Sequence, residues 1–424
     1  MKSLRQNNRN LLCCAFTIPL AFLAVASHPH GGHAGDWPQT LGPDRNGKAV
    51  NENLRAWQNT PTIRWKVKCG AGYAGVAVSN DKVYLWHREN NEERLDCLNT
   101  NDGTRVWRAR FEAVYRGGVD ADRGPRCVPL VSGDRVFVYG AAGDLSAIAT
   151  NDGATLWSRQ LRSEYDADDG YFGAGSSPLL IDNVLITPVG GSNGAGLIGI
   201  DAMTGKTLWK TLDQEAAYAS PIRVEIDNQI RAVAVMRLQT AIIVPASGKV
   251  IGTFAFGKRG PTVNAATPIE HDGKLLLTAS YGIGCRMLDL TARPLKNIWD
   301  TNNVIGSQYV TPVLVDQQLY AITGREDFGT GELRCVRWSD GKVAWSRPDF
   351  GTAQLLGVNN TILAQHVDGQ LELFAADPDQ FRSLASFELP PGIYRAFPAL
   401  ADGTLYCRRN LSPTECELLA IDID

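Results

Sequence analysis

A glycine followed four residues later by a tryptophan recurs along the chain, at Gly103 and Trp107, Gly153 and Trp157, Gly205 and Trp209, and Gly341 and Trp345. Each pair ends a block of short apolar runs, as in Asn101-Asp102-Gly103-Thr104-Arg105-Val106-Trp107 and Asn151-Asp152-Gly153-Ala154-Thr155-Leu156-Trp157. Self-similarity of this length marks stacked supersecondary units, none of which can bury its apolar face alone. Each unit reads as a small residue or Val, a Pro, and three short runs separated by turns, followed by the Gly turn and the Trp run. Its clearest copy predicts strands over Pro129 to Ser132, Arg135 to Tyr139, Leu145 to Ala149 and Thr155 to Arg159. Pro129, Pro178, Pro221, Pro268, Pro312 and Pro398 stand where each first strand starts, a place that tolerates a missing backbone donor. No stretch has a helical period.

Counting the blocks gives eight, with the first and seventh placed by the turns Asn80-Asp81 and Asn359-Asn360. The last block stops after a third strand at Leu418 to Ile421, while an orphan strand, Thr62 to Val67 with Trp65, precedes the first. Pairing these fragments closes a ring and removes the sheet edges that an open array would expose. The expected fold is therefore all-β, an eight-bladed β-propeller whose N-terminal strand completes the last blade. Gly252 and Phe387 take the Trp position in blocks four and seven, and Trp299 keeps it in block five.

Lys2, Arg5 and Arg9 lead into the apolar stretch Leu11 to Ala26, the pattern of a secretory signal peptide. The expected division is residues 1–26 as signal, 27–61 as leader and 62–424 as propeller, giving an exported protein, periplasmic or extracellular. Cys13 and Cys14 precede the end of the apolar core, so a lipid anchor on them is not expected, and no later stretch is apolar long enough to span a bilayer. A formal net charge of -3 without basic blocks argues against a nucleic-acid partner or electrostatic membrane docking. A monomer is expected.

Several motifs fit in letters but not in context. Gly70-x-Gly72-x-x-Gly75 and Gly194-x-Gly196-x-x-Gly199 match a dinucleotide fingerprint, yet both run into strands rather than opening a helix. Gly190-x-Ser192-x-Gly194 matches a nucleophile elbow but falls in a hairpin loop. His28, His30 and His33 read as a floppy exported tail rather than a metal site. Cys97 and Cys335 occupy the repeat position of Ala147 and Gly199 and read as small core residues. Cys407 and Cys416 flank a hairpin, an arrangement open to a cross-strand disulfide or to two free thiols.

The runs Leu197-Ile198-Gly199-Ile200-Asp201 before Thr204-Gly205 and Trp209, and Leu333-Arg334-Cys335-Val336 before Gly341 and Trp345, resemble the pyrroloquinoline-quinone-like (PQQ-like) propeller repeat. Asp36-Trp37-Pro38-Gln39 with Gly42-Pro43-Asp44-Arg45-Asn46-Gly47 resembles the lead-in of secreted bacterial members. The resemblance implies that Trp65, Trp107, Trp157, Trp209, Trp299 and Trp345 dock neighbouring blades. It also implies a choice between dehydrogenases holding pyrroloquinoline quinone and calcium and non-catalytic propellers, including outer-membrane assembly scaffolds. An adjacent Cys pair beside the quinone would mark the alcohol dehydrogenases, but the only such pair here is Cys13-Cys14, and no Cys-x-x-Cys-His haem site is present. The expected function is a non-catalytic binding or protein-interaction scaffold with no cofactor. The alternatives are a PQQ- and calcium-dependent oxidoreductase of alcohols or sugars, with Glu89 or Asp327 as base, and a carbohydrate-binding propeller.

Three residues before each Pro or its equivalent stand Tyr73, Arg126, Gly175, Tyr218, Ala265, Tyr309, Thr352 and Arg395. Such a set is not the composition of a packed core. Loops between second and third strands, His87-Arg88-Glu89 and Arg325-Glu326-Asp327, are expected on the same face. Tyr73, Arg126, Tyr218, Tyr309, Arg395, His87, Arg88, Arg325 and Glu326 are thus the candidate face for a protein or a small anionic or carbohydrate ligand, with Arg126 and Arg395 meeting the anionic group. The other reading has these side chains cap the channel mouth and satisfy strand ends.

Overall fold

The computed structural model describes residues 35–57, 60–301 and 303–423. The expected signal segment, Cys13, Cys14 and His28, His30 and His33 lie outside them. Eight antiparallel sheets of four strands each form the blades, and in seven of them the strands follow one another in chain order. The eighth is assembled from Ala399–Ala401, Thr404–Asn410 and Glu415–Asp422, with Thr62–Gly70 from the other end of the chain as its outermost strand. Ring closure is thus as the repeat count requires. Among the described residues helix is confined to Leu161–Glu164 and a 3-10 turn at Glu326–Phe328. Among the described residues no helix is long and apolar enough to cross a membrane.

Within a blade, large and small side chains alternate across the sheet. Tyr84, Cys97 and Trp107 are register partners on three successive strands, as are Phe137, Ala147 and Trp157, and Tyr320, Cys335 and Trp345. The outer two rings of each triplet close over the small middle residue with centroids 6.0 Å apart. Cys97 and Cys335 are small because of this sandwich, and burial pushes their thiols up to about 12 and about 11. In blade seven the bulge register places Ala385, not Phe387, at the Trp position; Phe387 lies two residues along, opposite Leu371. That blade's turn holds no Gly to mark the register, so its aromatic residue is a misleading guide.

Between blades, the two signature residues meet each other. The Trp65 indole donates to the Thr100 carbonyl of the next blade at 2.7 Å, Trp107 to Thr150 at 2.9 Å, Trp157 to Ala202 at 3.0 Å and Trp209 to Pro245 at 2.8 Å. Trp299 and Trp345 donate likewise to Trp338 at 3.3 Å and Asp377 at 2.9 Å. A glycine of the following turn lies beneath each of these rings but Trp345: a Cβ on Gly103 would stand 2.8 Å from Trp65, and one on Gly153 2.6 Å from Trp107. These glycines also hold φ of 70° and 77°, a left-handed turn conformation that disfavours other residues. The Gly and Trp of one sequence motif therefore serve opposite seams of the same blade.

Around the channel, hydroxyls just ahead of the prolines link blades in series. Ser177 Oγ accepts from Val128 N–H at 3.0 Å, Ser220 Oγ from Ser177 at 3.0 Å, Thr267 Oγ1 from Ser220 at 3.3 Å and Thr311 Oγ1 from Thr267 at 3.0 Å. The lead-in closes the opposite end of the ring, where first strands finish. Trp37 bridges to Val78 and Lys48 to Gly357, and buried Arg45 enters the channel. Its guanidinium donates to the carbonyls of Ser177 at 3.2 Å and Pro221 at 2.9 Å, and also to Pro178, while Nε donates to Gln39 Oε1 at 2.7 Å. Burial lowers its pKa to about 9. The face at the other end of the ring, away from the lead-in, is the open face.

Candidate functional site

The open face is built by loops entering the first strands and by loops joining second to third strands. Arg395 Nε donates to the two Glu326 oxygens at 2.8 and 3.0 Å, and its Nη2 lies 2.6 Å from Oε1. Tyr309 donates its hydroxyl to Glu326 Oε2 at 2.6 Å, and Arg395 Nη1 donates to the Tyr73 hydroxyl at 3.2 Å. Glu326 thus ties together residues of blades six, eight and one across the channel mouth. Burial opposes charge on Arg395, but the Glu326 hydrogen bond and charge outweigh it and raise its pKa. Burial first, and then the Glu326 charge, hold the Tyr309 phenol well above its ordinary value.

Arg126 is folded back on its own loop. Nη2 donates to the Asp122 carbonyl at 2.6 Å, Nη1 donates to Gly124, and the Asp122 carboxylate lies 3.6 Å away. The guanidinium stands 5.8 Å from the Tyr73 ring centroid and 5.7 Å from that of Tyr115. The Tyr218 hydroxyl accepts the backbone N–H groups of Tyr171 at 2.9 Å and Phe172 at 3.0 Å. Tyr73, Arg126, Tyr218, Tyr309 and Arg395 are therefore each engaged by their own protein, and an incoming anion would have to displace Glu326 from Arg395.

His87 and Arg88 are not on a loop. They end the strand Lys82–Glu89 and are buried. His87 Nδ1 accepts from Gly70 N–H at 3.0 Å and Nε2 lies 3.3 Å from Asp96; burial lowers its pKa. Asp96 is held down to about 2 despite its own burial, because Arg108 and His87 hydrogen bond to it. Arg88 donates to the carbonyls of Asn90 at 2.9 Å, Tyr115 at 2.5 Å and Arg123 at 3.4 Å, which makes it a loop cap. The sequence reading misplaced both because the strand runs two to three residues beyond its apolar portion. The hairpin pairing of Cys407 with Cys416 is also out of register: Cys407 faces Leu419, and Cys416 faces Asn410.

The open face presents apolar side chains beside the exposed Arg116, Arg123, Lys258 and Arg259. Phe328 is 68% exposed and Val119 73%, with Tyr171, Ile393 and Leu411 also exposed on loops of this face. Arg325 lies 4.3 Å from the Phe328 ring centroid and 4.6 Å from that of Tyr281, and pairs with Asp327, which fixes the Phe328 loop. Beside Tyr218 a cavity of about 350 Å³ is lined by Arg162, Asp168, Tyr171, Glu215 and Arg237, with both signs of charge represented. Phe328 and Tyr171 could have been read from sequence as large apolar residues between turn glycines, Gly324 with Gly329 and Gly170 with Gly173. Among the described residues no three His, Cys, Asp or Glu side chains converge to hold a metal ion.

Beneath this face, the seam between blades one and two buries Glu93, whose carboxylate accepts the Ala141 N–H at 3.1 Å. Burial raises its pKa from 4.5 to about 7. The stability tied to this raised value is fully present below the unfolded pKa and is lost as pH rises through about 7. Replacing Glu93 with Gln should therefore flatten the decline of melting temperature between acid and mildly alkaline pH, an effect on the order of 3 kcal/mol. Parallel melting curves for the two proteins across that range test this; identical pH profiles would contradict it.

A family model described as outer membrane protein assembly factor BamB matches residues 50–192 and 91–347. The outer membrane protein assembly factor BamB of Burkholderia pseudomallei (strain K96243) is 24% identical over 252 residues, 55% of this chain and 58% of that protein. The match thus spans little more than half of that relative's length. Among solved structures, BamB from Moraxella catarrhalis superposes with a TM-score of 0.61 at 14% identity, covering 85% of this chain and 98% of the other. A europium-containing methanol dehydrogenase gives 0.67 at 11% identity, covering 92% and 98%. The quinohemoprotein alcohol dehydrogenase ADHIIG from Pseudomonas putida HK5 gives 0.66 at 13%, covering 92% and 80%. At these identities the likeness is one of fold.

Proposed function

Since the chain belongs to the PQQ-like repeat propeller family whose model is described as outer membrane protein assembly factor BamB, we propose that it is an exported, non-catalytic scaffold that binds protein on its open face. The observation that carries this reading is the contrast within that face. Arg395 is occupied by Glu326 and Arg126 by backbone carbonyls, whereas Phe328, Val119 and Tyr171 are offered to solvent. Rigid apolar side chains around a satisfied polar centre suit protein contact. In keeping with the name of its relatives, the proposed partner is an outer-membrane assembly protein.

The dehydrogenase alternative fits the residues less well. Pyrroloquinoline quinone is a polyanion, and Arg395 meets it only by giving up Glu326. In-cell photo-crosslinking from positions 328 and 119, with mass spectrometry of the adducts, should recover an outer-membrane assembly protein. Phe328→Asp with Val119→Asp should lower adduct yield from a crosslinker at position 171 by roughly tenfold while leaving melting temperature unchanged. Saturable binding of pyrroloquinoline quinone with calcium, followed by dye-linked oxidation of an alcohol or sugar, would overturn the reading. A glycan-array signal lost on Tyr218→Ala would favour the carbohydrate alternative instead.

A further inference from the structure

The strand that closes the ring carries Cys69 just before its last residue, Gly70, and its antiparallel register sets Cys69 opposite Cys416 of the last blade. Val67 with Leu418 and Trp65 with Ala420 are register partners on the same strands. Side chains alternate faces along a strand, so both thiols project to the face that carries Trp65. Directly opposed residues of an antiparallel pair have Cα atoms about 4.5 to 5.5 Å apart, within the roughly 4.4 to 6.8 Å that a disulfide spans.

Their surroundings differ from those of the other cysteines. Buried Arg408 donates to the carbonyls of Gly70 at 2.7 Å, Trp86 at 3.0 Å and Ala74 at 3.1 Å, and its Nη2 lies 3.9 Å from Cys416 Sγ. Asn410 Nδ2 donates to the same sulfur at 3.1 Å. The Cys69 hydrogen bond, followed by the charge of Arg408, draws the Cys416 thiol down to about 7 against its burial, whereas Cys69 is raised. Burial alone leads the upward shifts of Cys127 and Cys285, to about 12 and about 11, and also raises Cys407. A thiolate held beside a neutral thiol is the pair that undergoes exchange. Cys69 is partly open to solvent, which gives a reagent access.

We propose that Cys69 and Cys416 are a redox pair that becomes a disulfide in the exported protein, stapling the closing strand to the last blade. The oxidant is a protein or small-molecule disulfide. Cys69, the thiol open to solvent, passes its proton to the Cys416 thiolate and attacks one sulfur of the oxidant, displacing the other as a thiolate and giving a mixed disulfide. Cys416 then loses that proton and attacks the Cys69 sulfur, releasing the second thiolate. Two electrons pass to the oxidant, whose two sulfurs leave as thiols, and the only new bond in the propeller is the one between Cys69 and Cys416. The closed loop spans every other blade, so it restricts the unfolded chain extensively and bars opening at the one seam that joins the chain ends.

Peptide mapping of the full mature chain, incubated with oxidised glutathione and alkylated without reductant, should yield a Cys69–Cys416 linked peptide that dithiothreitol removes. Oxidised protein should melt several degrees above reduced protein, and Cys69→Ser should melt where the reduced protein does, with no response to dithiothreitol. Cys407→Ser should keep the linked peptide. Full alkylation of both residues in the wild-type chain after that incubation, or linkage of Cys416 to any other cysteine, would overturn the proposal. The wild-type map decides this even where a variant fails to fold.

Discussion

Deleting residues 62–70 is expected to abolish soluble folded protein. That strand supplies eight register partners to Glu415–Asp422, from Thr62 with Asp422 to Gly70 with Glu415. Without it the strand Glu415–Asp422 becomes an unpaired edge carrying Leu418, Leu419, Ala420 and Ile421, all fully buried in the intact ring. A continuous apolar edge recruits other chains. The deletion also removes Trp65, which both donates to Thr100 and stacks on Gly103 of the first blade, so the seam fails on two sides. Size-exclusion chromatography and circular dichroism of the purified deletion provide the readout. A monomeric product with the parent's melting temperature would refute this account of ring closure.

The second large effect is expected at the seam between the first two blades. Trp107→Ala removes a largely buried indole and its bond to Thr150, a loss of about 3 to 5 kcal/mol. Gly153→Ala meets two obstacles at once: a Cβ 2.6 Å from Trp107 and a left-handed φ of 77°. Left-handed strain alone costs about 1 kcal/mol or more, and the collision adds to it. The two costs should separate in a double-mutant cycle, because Trp107→Ala relieves the collision and leaves the strain. Denaturant melts of the two single variants and the double variant should therefore give a coupling that favours the double. Strict additivity would mean that Gly153 and Trp107 do not meet.

Much of this architecture was legible because its determinants are local. Asp102 Oδ1 accepts Thr104 N–H at 2.9 Å, and Asp152 Oδ1 accepts Ala154 N–H at 2.9 Å; these turns are written in adjacent residues. Where such a marker is missing, as in blade seven, the reading slipped from Ala385 to Phe387. The candidate face was legible as a place but not as a chemistry. Tyr73, Tyr309, Arg395 and Glu326 do converge, yet they converge on one another. His87 and Arg88 fell the other way, because polar residues at a strand end look like a loop until their buried partners Gly70, Asp96 and Tyr115 are seen.

The sequence by itself determined the number of blades, the strand order within each and the seam where the ends of the chain meet. Turn chemistry and period-two alternation act over a few residues and repeat, so a chain carrying them has little choice. Only the tertiary structure decided which partners meet across seams and through the channel. Arg395 finds Glu326 at a separation of 69 residues and Arg45 finds Pro221 at 176, distances over which no local pattern carries information. Closing the ring also opposed Cys69 to Cys416 and turned each Gly toward the preceding blade's Trp. Those pairings depend on the curvature and register of the whole ring, which no single repeat contains.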